Sequence, residues 1–226
     1  IYTTLYTALI SDLEITSSIQ LEAILPTTRI EQLIYPSSMT TDALIVSIED
    51  KELRFHPPHV RYIKAVTEDG KIMSFERWYT WDHDKAFDAW WATFAFNPPE
   101  ELSSQDMNVD ATKAFYEGID KLKKRKIRGK ACLHQYHTDL SLVATHPNYQ
   151  SSGAGLQHVK WGKEYAIEQR FDIYAVSTPE SLSWYEKFGF RSIDDFSIDM
   201  TLMGGTREDG TLGIYTATLM KLTVSK

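Results

Sequence analysis

The sequence predicts a mixed α/β domain rather than a regular doubly wound one. Two observations predict it. Segments with helical spacing of apolar residues alternate irregularly with β-branched runs and one clear hairpin. The chain also lacks a linker rich in Gly, Pro or Ser, and it lacks internal repeats. We therefore expect a single domain over residues 1–226, with an insertion at residues 81–128.

The first third of the chain predicts one strand, three helices and a hairpin. Residues 1–10 mix β-branched and aromatic side chains, as strands do. Capping residues at 11–14, 28 and 40–42 predict helix starts, and prolines end the first two helices. Alternation over residues 60–68 and 71–80 around Asp69-Gly70 predicts a two-residue hairpin. The apolar spacing predicts these inward-facing side chains in the first and third helices: Ile15, Ile19, Ile24, Leu44, Ile45, Ile48 and Leu53.

The insertion at residues 81–128 combines an aromatic-rich stretch with a helix. The helix is predicted over residues 108–128, with Phe115 and Leu122 on its apolar side. It ends in a basic run that has seven cations in the ten residues 121–130. Such a run could bind nucleic acid, but we favour a solvated helix end, where cations suit the helix dipole.

Composition excludes several classes of protein. A net charge of −7 argues against a general nucleic-acid binder. The single cysteine, Cys132, excludes an internal disulfide and a multi-cysteine metal site, so we expect no metal and a reducing, cytoplasmic location. No apolar run approaches the ~20 residues that a membrane-spanning helix needs, and we expect no targeting segment.

The most informative stretch, residues 140–155, predicts an anion site. A β-branched run turns at Pro147-Asn148, passes through a small-residue loop, and leads directly into an apolar-periodic helix. Loop N–H groups and the positive end of a helix dipole then converge on one point. The loop lacks the Gly-Lys-Ser/Thr of a P-loop and the third glycine of a dinucleotide fingerprint.

The stretch resembles the acetyl-coenzyme A loop of the GNAT N-acetyltransferase superfamily. Gln150-Ser151-Ser152-Gly153-Ala154-Gly155 matches Gln/Arg-x-x-Gly-x-Gly/Ala, and Ala144-Thr145-His146-Pro147 precedes it, as in fungal small-molecule acetyltransferases. About 30 residues downstream, Tyr185 to Phe190 matches the family's Tyr-x-x-x-Gly-Phe signature. The resemblance covers residues 139–199. It implies a GNAT-type central mixed sheet of about seven strands flanked by helices, with the insertion between the third and fourth strands.

The resemblance also implies a function and a set of site residues. It implies an N-acetyltransferase that moves an acetyl group from acetyl-CoA directly to an amine of a small molecule within a ternary complex. Tyr185 would protonate the sulfur, and Asp139, with His137 behind it, would act as the base. A backbone N–H near Val143 would stabilise the oxyanion. The expected cofactor-binding residues are Val143, Ala144, Thr145, Gln150, Ser151, Ser152, Gly153, Ala154, Gly155 and Leu156.

One departure from the family pattern leaves a second function open. Ser151-Ser152 stands where many relatives have Gly-Arg or Gly-Lys, so a weakly active or inactive acyl-CoA-binding protein is the alternative. Lys160 or Lys163 could supply the missing cation. The aromatic run from Phe75 to Phe96 is the candidate acceptor pocket, or else an extra hydrophobic layer. Expected partners are the amine alone, without nucleic acid or membrane, for a monomer or homodimer.

Overall fold

A computed structural model describes residues 3–55, 60–81, 107–127, 137–204 and 213–224, with the backbone alone at Trp81, His137 and Thr138. The predicted break at residues 56–59, the aromatic residues 82–100 and Cys132 lie outside the described residues. The described strands are β1 (Thr3–Thr7), β2 (Val60–Thr67), β3 (Ile72–Trp81), β4 (His137–Thr145), β5 (Asp172–Ser177), β6 (Arg191–Asp199) and β7 (Ile214–Leu222). The described α-helices are α1 (Leu13–Ile24), α2 (Arg29–Ile34), α3 (Thr41–Phe55), α4 (Val109–Lys126), α5 (Ala154–Gln169) and α6 (Leu182–Lys187).

The seven described strands form one mixed sheet in the order β1-β2-β3-β4-β5-β7-β6. Only β4 and β5 run parallel, and every other neighbouring pair is antiparallel. This arrangement confirms the predicted mixed α/β class and the expected number of strands. The hairpin between β2 and β3 is also confirmed, but its loop has three residues rather than the predicted two. The Thr67 N–H donates to the Lys71 carbonyl oxygen across residues 68–70, and Gly70 has φ +84°.

The sheet is covered on both faces. On one face, Trp78 and Leu140 pack against Val159 of α5 and Phe190 after α6. On the other face, Phe75 packs against α1, and α4 packs against β6 and β7 through Phe115 and its aromatic neighbours. The part of the insertion that is described, α4, therefore belongs to the hydrophobic core. The helix begins close to its predicted start, because the Asn108 side chain caps it by accepting a hydrogen bond from the Ala111 N–H at 3.1 Å.

The buried faces of two helices differ from the predicted ones. In α3, Ile45 is 45% exposed and Leu53 67% exposed, and the buried face consists of Ala43, Val46, Ser47 and Lys51. In α1, Ile19 is buried as predicted but Ile15 is exposed. The reason is a polar contact between the two helices: Lys51 donates hydrogen bonds to Ser17, Gln20 and Ser47 at 2.7–3.0 Å. Apolar spacing cannot reveal a lysine on the inner face.

Two further boundaries change. Thr178-Pro179-Glu180, with a threonine cap and a proline in the first turn, predicts the start of a short helix. The helix begins at Leu182 instead, because Ser181 Oγ accepts the Thr178 N–H and holds residues 178–181 in a turn. The basic end of α4 is only partly solvated: Lys123 is buried and pairs with Asp139, and the exposed Arg125 pairs with Asp194.

Candidate functional site

The centre of the site is a gap between β4 and β5. The two strands pair only from His137 to Leu140 on β4, while β4 continues to Thr145. A register irregularity between Arg77 and Trp78 of β3 accompanies this divergence. Beyond Leu140, therefore, one edge of β4 offers backbone N–H and C=O groups that no described strand pairs. An amide-rich chain could hydrogen-bond to this edge as a short extra strand.

The predicted anion loop lies at the open end of this gap. Gly153 has φ +92° and Ser151 has φ +62°, and this left-handed backbone turns the chain sharply into α5. The first-turn N–H groups of α5 point out of the helix end without intrahelical partners, and this turn contains no acidic residue. The Ser152 hydroxyl is buried without a hydrogen-bond partner among the described residues. The backbone N–H groups of this turn fit a pyrophosphate, whereas Ser152 is not among the residues that line the cavity.

A cavity of about 750 Å³ joins the loop, the gap and a chamber between the helices and β3. Such a volume lies within the usual range for small-molecule sites. The loop end is lined by Gln150, Ser151, Gly153, Ala154, Gly155 and Leu156. The middle is lined by Val143, Thr145, Val176, Trp184 and Tyr185. The chamber is lined by Gln20, Glu31, Asp50, Arg54, Arg77, Tyr79, Tyr116, Asp120 and Lys123, among others.

Tyr185 stands at the middle of the cavity wall and is 5% exposed. Burial raises the pKa of its phenol well above the usual value, and the charges of Asp139 and Glu76 raise it further. The phenol is therefore protonated throughout the physiological pH range and is suited to donate a proton. Its neighbour Trp184 closes on the loop: a Cβ added to Gly155 would lie 3.3 Å from Trp184 Cζ2.

Asp139 does not line the cavity. It is fully buried, and one carboxylate oxygen accepts a hydrogen bond from Lys123 Nζ at 2.6 Å, while the other has no hydrogen-bond partner among the described residues. Lys123 itself does line the cavity. Ser141, which shares the strand face of Asp139, accepts a hydrogen bond from Arg77 at 3.2 Å.

Other residues that the sequence singled out lie away from the cavity wall. Lys160 and Lys163 are exposed on α5, and neither lines the cavity. Of the aromatic run from Phe75, the described Phe75 and Trp78 are buried in the core, whereas Tyr79 lines the chamber. The remaining aromatic residues of that run lie outside the described residues.

The chamber contains carboxyl groups that the sequence analysis missed. Burial raises the pKa of Glu31 to about 7. Burial also raises the pKa of Asp120 to about 6, against the opposing charges of Lys123, Lys124 and Arg54. No motif surrounds either residue, and only the packing of α2 and α4 around the cavity brings them together.

Asp50 behaves differently from these two carboxyl groups. It pairs with Arg54 at 2.7 Å and lies 3.4 Å from Arg77, and these cations hold its pKa below the usual value despite burial. One wall of the chamber is therefore a closed ion network, while Glu31 is free to exchange a proton near neutral pH.

The strand order, the gap between the parallel strands and the loop before α5 define the acetyltransferase fold of the GNAT superfamily. The chain has this fold, as the sequence resemblance predicted. No family model and no curated protein sequence matches the chain.

Three solved structures illustrate the likeness. Arylalkylamine N-acetyltransferase 2 of Aedes aegypti is 11% identical with a TM-score of 0.63, and each chain is covered over 100% of its length. A mosquito arylalkylamine N-acetyltransferase-like protein 5b is 16% identical with a TM-score of 0.61, covering 98% of this chain and 99% of that one. The ribosomal-protein-S18-alanine N-acetyltransferase of Escherichia coli is 12% identical with a TM-score of 0.51, covering 100% and 96%. At these identities the likeness establishes the fold, and the resemblance to fungal enzymes stays a prediction.

Two searches of the described residues complete the description of the site. No group of three His, Cys, Asp or Glu side chains there is placed to hold a metal ion. Within the same residues, every helix is too short or too polar to cross a bilayer.

Proposed function

We propose that the protein transfers an acetyl group from acetyl-CoA to a primary amine of a small molecule. The observation that carries the proposal is the continuous cavity. It connects an anion-binding loop, an unpaired strand edge, a protonated tyrosine and a chamber with a titratable carboxyl group, in that order. The structural likeness to N-acetyltransferases supports the same activity.

The residues present fit acetyl-CoA. The pyrophosphate would be held by the N–H groups at the start of α5, next to Ser151 and Gly153 of the cavity wall. The pantetheine amides would pair with the free edge of β4 at Val143 to Thr145. The thioester would then lie near Tyr185, where the gap opens into the chamber.

The chemistry requires three proton transfers and one charge stabilisation. The ammonium group first gives a proton to the base, the neutral amine nitrogen attacks the thioester carbon, and the carbon–sulfur bond breaks as the amide bond forms. A backbone N–H near Val143 would stabilise the oxyanion. Tyr185 would give its proton to the departing sulfur and would be reprotonated by the proton that the amide nitrogen loses. The products are the acetylated amine and free coenzyme A.

We assign the base role to Glu31 in preference to Asp139. Glu31 lines the chamber, and its pKa of about 7 suits a group that must accept a proton at neutral pH. Asp139 is enclosed and already bound to Lys123. The base role for Asp139 stays a prediction from the sequence, which the comparison of Glu31→Gln with Asp139→Asn would test.

The acceptor we propose is a small amine that carries a positive charge before it reacts. Glu31 and Asp120 offer carboxylates to an ammonium group. The Aedes aegypti enzyme named above shares the fold, and its name states that it acts on an arylalkylamine. A peptide amine is the rival acceptor, and a substrate panel that includes a peptide decides between them.

Binding without turnover is a second candidate function, and one observation favours it. The loop has Ser151-Ser152 in place of a cation, and Lys160 and Lys163 do not reach the cavity wall. Loss of a charge-assisted bond typically weakens binding by ~1–2 kcal/mol. This weakening would raise the Kd for acetyl-CoA and thereby lower turnover at a given concentration of acetyl-CoA.

The test combines ligand binding with thiol release. Acetyl-CoA at millimolar concentration should raise the melting temperature, and a panel of arylalkylamines, polyamines and antibiotics should identify an amine that releases thiol. Tyr185→Phe should then lower kcat by ~10–10³-fold. Stabilisation without thiol release would support the second candidate function. If acetyl-CoA neither raises the melting temperature nor releases thiol with any amine, both candidate functions are refuted. An unchanged rate in Tyr185→Phe would remove Tyr185 from the mechanism.

A further inference from the structure

Three polar side chains are enclosed between β3 and α5, behind the wall of the cavity. Ser74, Glu76 and His158 have no exposed surface. His158 Nε2 lies 2.8 Å from Ser74 Oγ, and His158 Nδ1 lies 3.1 Å from Glu76 Oε1. Ser74 and Glu76 are two residues apart on one strand, so a single imidazole from α5 spans both of them on the same face of the sheet.

This cluster lies directly behind both halves of the proposed acetyl-CoA site. On β3, Ser74 pairs with Thr145 and Glu76 pairs with Val143, and these two β4 residues line the cavity. His158 stands one turn after Ala154, the first residue of α5. The cluster therefore connects the strand edge to the first turn of the helix that follows the loop.

Stabilisation of the fold alone does not explain why this cluster is polar. Buried ion pairs are often matched or exceeded in stability by apolar residues of similar volume. The Glu76 oxygens also have no hydrogen bond of good geometry among the described residues, which adds a cost of desolvation. Trp78 and Val159 also pack the same strand against the same helix, through an apolar contact.

A polar contact differs from an apolar one because it has direction. Packing of Trp78 against α5 would tolerate a small slide of the helix along the strand. The hydrogen bond between His158 Nε2 and Ser74 Oγ fixes the helix in one position along β3. The 3.1 Å contact between His158 Nδ1 and Glu76 Oε1 is not aligned as a hydrogen bond, but its electrostatic attraction favours the same position. The cluster also reaches the third component of the site, because the charge of Glu76 is among those that raise the pKa of Tyr185.

We propose that Glu76 and His158 are positioning residues that fix the first turn of α5 relative to the free edge of β4. Both halves of the acetyl-CoA site are then held in place before the ligand binds. The proposal rests on the proposed function for the identity of the ligand. The contact between helix and strand can be tested without that ligand.

The first test measures acetyl-CoA affinity by calorimetry in Glu76→Gln, which keeps the shape of the side chain, and in His158→Leu. Both variants should raise the Kd at least tenfold, and the KM for the amine should change less than twofold. Ser74→Ala, which removes only the hydrogen bond to His158 Nε2, is the variant to measure if His158→Leu does not fold. Thr16→Val, which alters a buried polar residue of α1 outside the cluster, is the matched control.

The second test measures amide hydrogen exchange in residues 154–162 without ligand. Exchange should accelerate at least fivefold in Glu76→Gln and Ser74→Ala, and should match the wild type in Thr16→Val. Variants that keep both the wild-type affinity and the wild-type exchange would overturn the proposal and leave the cluster as core packing. A wild-type protein that neither binds acetyl-CoA nor releases thiol would refute the proposed function instead, and the exchange rates would still decide the positioning role.

Discussion

The carboxyl groups of the chamber differ because their neighbours differ. Asp50 has two arginines within 3.4 Å and stays ionised, whereas burial alone dominates Glu31 and raises its pKa to about 7. A group that titrates at the working pH can take a proton from a substrate and release it to water. The same reasoning leaves Asp50 as a fixed charge that orients Arg77.

The Glu31 assignment predicts a particular pH profile. A base must be ionised, so kcat/KM of the wild type should rise with pH through about 7 and then level off. Glu31→Gln should lower kcat/KM by ~10²–10⁴-fold and abolish that rise. Glu117→Gln, at an exposed carboxylate on α4, is the control and should keep the wild-type profile. An acidic limb that persists in Glu31→Gln would assign the titration to another group.

The Lys123–Asp139 pair predicts a stability effect. Lys123→Met leaves an enclosed carboxylate without its cation, which should cost ~3–5 kcal/mol in the free energy of unfolding. Adding Asp139→Leu should recover most of that loss, because the pair then becomes an apolar contact. Urea denaturation of both variants measures the difference. A double variant that is no more stable than Lys123→Met would mean that the pair is not coupled.

At the scale of residues, the sequence predicts what lies inside a local motif and misses what depends on packing. Tyr185 and the loop residues are carried by spacing along a short stretch, and the structure brings both to one cavity. Glu31 and Asp120 are surrounded by ordinary helical sequence, and only the assembled fold desolvates them. Lys123 sits in a basic run that is typical of a solvated helix end, yet its partner Asp139 comes from a strand.

At the scale of elements, the loop before α5 makes two different demands on its glycines. Gly153 has φ +92° with no atom within 4 Å of an added Cβ, so glycine is favoured there by the left-handed backbone and not by lack of space. Gly155 is helical, and an added Cβ would meet Trp184 at 3.3 Å, so glycine is favoured there because a larger side chain would crowd Trp184. Both glycines belong to the predicted motif, but their separate reasons appear only in the structure.

These demands predict opposite outcomes for two alanine variants. Gly153→Ala should lower the free energy of unfolding by ~1–2 kcal/mol, the cost of a left-handed alanine. Gly155→Ala should cost less, because alanine favours a helix by ~1 kcal/mol over glycine. It should instead raise the Kd for acetyl-CoA about tenfold by displacing Trp184. Thermal unfolding and calorimetry on both variants distinguish the cases, and equal affinities for acetyl-CoA would contradict the spatial account of Gly155.

The predicted elements show where sequence patterns are reliable. The hairpin was predictable because Asp69-Gly70 and the flanking alternation mark two strands with a turn between them, although this pattern predicted a loop of two residues where the structure has three. The start of α5 was predictable because a strand, small residues and a helix follow each other directly. The inner face of α3 was not, because Lys51 and Ser47 occupy positions that a hydrophobic pattern assigns to solvent. Tertiary hydrogen bonds overrode the apolar spacing there.

At the scale of the whole molecule, buried titratable groups couple stability to pH in opposite directions. Glu31 and Asp120 have raised folded-state pKa values of about 7 and about 6, so their contribution is fully present at low pH and is lost as pH rises through those values. Tyr35 and Tyr185, whose pKa values are also raised, affect the pH dependence of stability only above about pH 10. Between these windows, Lys51 is the group with the largest influence among those described.

Lys51 predicts a rise in stability between pH 7.5 and 9.5. Burial lowers its folded-state pKa to about 7 from 10.5, so the unfolded chain binds one proton more than the native state across this window. Stability therefore increases with pH, by up to about 1.4 kcal/mol for each pH unit. Lys51→Met removes this proton uptake, so its free energy of unfolding should change less with pH than that of the wild type. The free energy of unfolding of the wild type should therefore increase relative to that of Lys51→Met as pH rises.

Urea denaturation at pH 7.5, 8.5 and 9.5 measures this difference in the free energy of unfolding between the wild type and Lys51→Met. The comparison of slopes does not depend on the fixed cost of leaving Ser17, Gln20 and Ser47 without their donor, because that cost is the same at each pH. Lys64→Met, at a partly exposed lysine that is paired with Asp12, is the control and should follow the wild-type slope. Parallel curves for the wild type and Lys51→Met would show that Lys51 keeps its proton in the folded state, since three oxygen acceptors would then satisfy the ammonium despite its burial.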